Sequence, residues 1–107
     1  MTNPYAGEVA LRIDGEARVL KLTLGALAEL EAALGADSLG ALVERFEGGR
    51  FSARDVLALI LAGLRGGGWQ GGAEALLHAE IEGGPVAAAR VAAQLLARAF
   101  ALPGSGA

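Results

Sequence analysis

Few side chains in this sequence could carry out chemistry. His78 is the only histidine. Glu74 and Glu82 stand one helical turn to either side of it, so on a continuous helix the three would share a face and could offer a metal one imidazole and two carboxylates. The same i, i+4 spacing is the ordinary pattern of a solvated helix surface. With no other strong ligand nearby, that reading is preferred. Gly66 to Gly71 spells G-x-G-x-x-G. The motif cradles a pyrophosphate only between a strand and a helix, with an acidic residue about 20 positions on. Here it follows a helical run, and Lys21, the only lysine, lies in a strand pattern. The stretch therefore reads as a flexible connection. Glu29/Glu31 and Glu80/Glu82 are separated by one residue, a spacing that turns the carboxylates apart on a helix and does not make an acid/base dyad. Ser38 and Ser52 sit where helices begin and act as caps, and Ser105 falls in the C-terminal tail, which leaves no serine beside a positioned base. The chain has no cysteine. No catalytic, cofactor-binding or metal site is expected.

The elements around these residues are mainly apolar. The stretch SARDVLALILAGLR, residues 52–65, opens on Ser52 as N-cap, with Asp55 three residues on. From Val56 to Leu64 it has no polar side chain. A helix that is apolar all round is expected to be buried, inside a fold or between subunits, and this one falls well short of the roughly 20 residues that span a bilayer. The rest of the chain is expected to pack around it.

Composition sets the limits. A chain of 107 residues reads as one domain over residues 1–107, with 1–7 and 103–107 flexible. Nine Lys and Arg against twelve Asp and Glu give a net charge of −3. No basic field exists to hold nucleic acid. A helix-turn-helix outline fails as well, because its recognition helix would present Val56 to Leu64, which cannot read a base edge. The N-terminus lacks a basic start and an apolar run, so no signal peptide is read and a cytoplasmic location is expected. The 53% hydrophobic content is mostly Ala and Leu, with only 5% aromatics. That favours helix. Seventeen glycines fall mainly between the apolar stretches.

In chain order, Glu8 to Asp14 alternates as a half-buried strand with Val9, Leu11 and Ile13 on one face. Asp14-Gly15 is a hairpin turn, and Glu16 to Leu22 returns with Leu20 and Leu22 inward. Thr23 caps a helix over Leu24–Leu34 whose core spacing is Leu24, Leu27, Leu30 and Leu34, ended by Gly35. Ser38 caps a helix over Leu39–Glu47, with Leu39, Leu42, Val43 and Phe46 inward, stopped by Gly48-Gly49. After the central helix, Ala73–Ile81 forms another with Leu76, Leu77 and Ile81 inward. Pro85 opens the last, Val86–Ala101, which buries Val86, Val91, Leu95, Leu96 and Phe100. The fold class is α+β, mostly α: an N-terminal β-hairpin and about five short helices packed round a central apolar one.

Two features fit either a core or a partner. Trp69, alone among glycines, is a core plug or an exposed anchor. Glu29, Glu31, Asp37, Glu44 and Glu47 face only Arg45 over residues 24–49, while Arg90 and Arg98 occur without acids over 83–107. Packing of the last helix beside the first two would pair these charges. An acidic face for a basic or helical partner is the sharper alternative.

Several stretches resemble one family: GEVALRIDG (7–15), LTLGALAELEAALG (22–35), SLGALVERF (38–46), FSARDVLALILAGLRGGG (51–68) and GGPVAAARVAAQLLARAFALP (83–103). Together they resemble the gene transfer agent family proteins encoded in the tail-gene region of alphaproteobacterial prophage-like particles. The family is grouped with phage tail assembly chaperones, and some descriptions call it a tail tube protein. The resemblance implies a non-enzymatic assembly factor, without cofactors, that keeps the helical tape-measure protein soluble. A structural tube component is the alternative, and self-association is open. For the partner surface the expected residues are Leu64, Trp69, Leu76 and Phe100 near the glycine loop, with Glu29, Glu44 and Glu47 as a charged rim.

Overall fold

Alternation of apolar and polar residues builds the first element. A computed structural model describes residues 7–34 and 39–100. In β1 (Val9–Ile13), Val9, Leu11 and Ile13 are buried and the two residues between them are exposed. β2 (Glu16–Leu20) pairs antiparallel with it, Val9 opposite Leu20 and Ile13 opposite Glu16. Asp14 and Gly15 hold φ of +52° and +80°, the pair of positive values that a two-residue type I′ turn requires. The second strand stops at Leu20, short of the expected Leu22. Beyond it the Lys21 N–H donates to the Gly63 carbonyl of α3 (Ala53–Gly66). Leu22 still packs, partly buried, against the core.

α3 occupies the centre: α1 (Leu24–Leu34), α4 (Ala73–Leu77), α5 (Gly84–Ala99) and β2 all pack on it, and α5 also covers β1. Its N-terminus is a complete capping box. Ser52 Oγ accepts from the Asp55 N–H, and Asp55 accepts in return from the Ser52 N–H. Its C-terminal end lies directly on the hairpin. A Cβ on Gly66 or Gly67 would come within 1.9 Å of the Lys21 or Val19 carbonyl oxygen. The expected flexible glycine connection therefore begins as close backbone packing, at two positions where any side chain would collide.

The architecture is α+β and mostly helical, a hairpin followed by five helices among the described residues. Several details differ from expectation. In α1 the buried residues are Ala26 and Leu30, while Leu24 is 85% exposed. Thr23 caps this helix by accepting from the Ala26 N–H. Successive helical residues turn by about 100°, so Leu24 points nearly opposite to Ala26. α2 (Leu39–Glu47) buries Leu42 fully and packs Leu39, Val43 and Phe46 against the core. The proposed caps Gly35 and Ser38, and the segments 1–6 and 101–107, lie outside the described residues.

α4 ends at Leu77 and does not reach Ile81. The chain beyond it is drawn to the outer edge of β1. Asp14 donates to the Glu80 carbonyl, Glu82 donates to the Arg12 carbonyl, and Ile13 bridges Ile81. The Glu80 N–H also donates to Asp14 Oδ1. A strand edge with unpaired groups competes well with four more residues of a short helix. α5 buries Ala88, Val91, Ala92, Leu95 and Leu96, a regular helical stripe. Val86 and Phe100, expected in the core, are 69% and 44% exposed. Val86 lies off that stripe, and Phe100 is the C-cap, past the last packed turn.

Candidate protein-binding surface

The apolar circumference of α3 is only partly covered. Leu59, Ile60, Ala62, Gly63 and Leu64 are buried, but Val56, Leu57, Ala58 and Leu61 are half-open. The helix expected to be wholly buried thus keeps apolar surface for something else. On one side this surface forms a groove of about 650 Å³ between the N-terminal halves of α3 and α5. Val56, Leu57 and Ile60 form one wall, Ala88 and Ala89 the other, and Leu76, Leu77, Ala79 and Ile81 close it. Leu77 stands 63% exposed at this groove. Arg54 is the only charged residue in the lining.

A second recess, about 480 Å³, lies near the other end of α3, lined by Thr23, Ala26, Glu29, Arg65 and Trp69 among others. Glu29 and Arg65 form an ion pair across it at 3.0 Å, both about half exposed. Trp69 is half-buried against the core. Its ring lies over Gly71, where a Cβ would come within 2.3 Å of the indole. Its backbone N–H donates to the Leu64 carbonyl.

α2 is tied to α3 by an ion pair that sequence reasoning missed. Arg45 Nε and Nη2 donate to Asp55 Oδ2 and Oδ1, each at 3.0 Å. Asp55 is 5% exposed, the one buried polar residue among the described residues. Burial pushes its carboxyl up. Hydrogen bonds from Arg45 and the Ser52 backbone, the Arg45 charge and the Ser52 hydroxyl together pull it below the usual carboxylate value. Beside this pair the rings of Phe46 and Phe51 stack 4.5 Å apart, with 8° between their planes. The arrangement is a structural clamp with no group left to react.

The residues expected at a partner surface are divided by the fold. Glu29 and Trp69 meet at the second recess. Leu64 is fully buried and Leu76 is 4% exposed, so both serve the core; Leu76 still reaches the floor of the groove. Phe100 is exposed at the end of α5 and lines neither recess. Glu44 and Glu47 are exposed on α2, and neither forms an ion pair among the described residues. The groove-lining Leu77, expected inward, and Arg54 and Phe51 were not among the residues expected at a partner surface. One helical step turns a side chain by about 100°, which carries Leu77 off the face that Leu76 packs.

The tentative metal trio does not assemble. His78 is the C-cap of α4, Glu82 lies beyond the Ile13–Ile81 bridge, and its carboxylate is 3.9 Å from Arg12. Among the described residues no group of three His, Cys, Asp or Glu side chains could hold a metal. The expected pairing of the last helix with the acids of the first two also fails. α5 packs on α3 and β1, Arg98 donates to the Glu8 carbonyl, and Glu29 pairs with Arg65 of α3.

A family model described as "Phage tail tube protein, GTA-gp10" matches residues 6–102. The chain belongs to this phage-tail family. By that description it is a phage tail protein of the gene transfer agent type. No curated protein matches the chain. No solved structure matches it either. The wording of the family's description names the tail tube, so it sides with a structural component over an assembly chaperone. Among the described residues no helix is long and apolar enough to cross a membrane.

Proposed function

We propose that this GTA-gp10 family member is a tail assembly factor, acting in the cytoplasm as a single domain, that holds an amphipathic helical tail protein such as the tape measure. The observation that carries this reading is the open apolar surface along α3, where half-covered Val56 and Leu57 and exposed Leu77 form a groove walled by helices. Such a groove suits the apolar face of a foreign helix. Exposed Phe100, Glu44 and Glu47, and half-buried Trp69 beside Glu29, lie outside the groove and offer further contact area.

A second reading, a tube subunit retained in the particle, is favoured by the family's description. Ring formation by sheet extension would need a free strand edge. Here part of the β1 edge is paired with residues 80–82, and the carbonyls of Val19 in β2 and of Lys21 just beyond it lie against the end of α3. That packing supports the assembly-factor reading. Deletion of the gene tests it: producing cells should then make heads without tails. Normal tails in the deletion strain would remove the reading.

A further inference from the structure

The groove between α3 and α5 carries features that specify its occupant. Apart from Arg54, its lining consists of apolar side chains. Along the 79–82 wall the Ala79, Glu80 and Glu82 N–H groups and the Glu80 and Ile81 carbonyls are engaged within the chain. An extended peptide would bring unpaired N–H and C=O groups against a wall with little left to offer them. A helix satisfies its own backbone and presents only side chains. At about 650 Å³ the groove is within the size range of specific binding cavities, about 300–1,000 Å³.

Arg54 supplies the second constraint. It is the second residue of α3, where the positive end of the helix dipole disfavours a cation. It is exposed and forms no ion pair among the described residues. Its guanidinium is therefore open to a partner's carboxylate. An incoming carboxylate at the groove mouth would pair with it and would also meet the favourable helix end.

We infer that the α3/α5 groove seats one amphipathic helix of the tail protein, its apolar stripe on Val56, Leu57, Ile60 and Leu77 and a carboxylate beside the stripe on Arg54. This rests on the assembly-factor reading and adds the seat and the charge of the ligand. Leu77 forms the apolar lip of the seat and Arg54 sets which flank of the helix carries the acid.

A displayed library of amphipathic helices, randomised at the positions flanking the apolar stripe, is panned against the full chain. The expected result is enrichment of Asp or Glu at one flanking position. The selected helix should bind Leu77→Asp at least about tenfold more weakly, a side chain's worth of lost burial. Arg54→Glu should weaken it roughly fivefold, and replacing the enriched acid with Lys should restore affinity for that variant. Both residues are exposed, and circular dichroism verifies that the variants fold. No enrichment, or helices indifferent to both substitutions, would overturn the inference. So would a wild-type dimer that Leu77→Asp converts to monomer, because a second copy would then own the groove. Loss of tails on gene deletion combined with either outcome leaves an assembly role standing and removes only this seat.

Discussion

Replacing Asp55 with alanine removes one carboxylate and the three hydrogen bonds it accepts. The Asp55 side chain returns the capping box to the Ser52 N–H at 2.9 Å and takes both Arg45 donors at 3.0 Å. Loss of the reciprocal bond of the capping box, with Ser52 still in place as N-cap, costs up to about 1 kcal/mol. Breaking a buried pair costs about 3–5 kcal/mol when the orphaned charge stays trapped. The Arg45 side chain is 26% exposed and can turn toward water, so the pair contributes well under that range and the total is about 2–3 kcal/mol. For a domain of this size the loss lowers Tm by roughly 10–20 °C. Urea titration followed by circular dichroism at pH 7 measures it. Combining the change with Arg45→Met in a double-mutant cycle should show a coupling of about 1–2 kcal/mol. The folded carboxyl titrates below its unfolded value of about 3.9. On acidification the unfolded chain therefore takes up the proton first. The Asp55 contribution is fully present above that unfolded value and is lost as pH falls through the folded one. The gap between wild type and variant should narrow accordingly. A loss under about 0.5 kcal/mol at pH 7, or strict additivity with Arg45→Met, would refute the clamp.

Other outcomes follow from the packing. Gly66→Ala drives a Cβ into the Lys21 carbonyl and should cost about 3 kcal/mol in urea unfolding; a neutral substitution would mean the helix end does not rest on the hairpin. Leu59→Ala, at a fully buried position, should cost about 2–5 kcal/mol, while Leu24→Ala should stay within about 0.5 kcal/mol. Equal effects would contradict the phase of α1. Trp69→Ala should reduce co-purification of the tail partner about tenfold or more while the chain still folds; an unfolded variant would assign the indole to the core.

Local rules were legible where one force dominated. The Asp14-Gly15 turn, the β1 alternation and the Ser52 cap all follow from backbone conformation and burial over a few residues. Helix phase at the ends was not legible, because Leu24, Leu77 and Val86 are apolar residues that tertiary packing left outside. The end of α4 was also hidden. It depends on the outer edge of β1, more than sixty residues earlier, capturing residues 80–82. The Arg45–Asp55 pair escaped for a similar reason, since Asp55 already had a sufficient local role as a cap. Of the candidate surface, Trp69, expected near the glycine loop, and Glu29, expected at a charged rim, line the same recess. The larger groove was missed because an all-apolar helix was taken to be all covered.

Whether this protein builds the tail or becomes part of it is decided by quantitative mass spectrometry of purified particles. An assembly factor should be absent or scarce relative to the tail proteins beside it. Recovery at ring stoichiometry with the tube would contradict the account and make the chain a structural subunit.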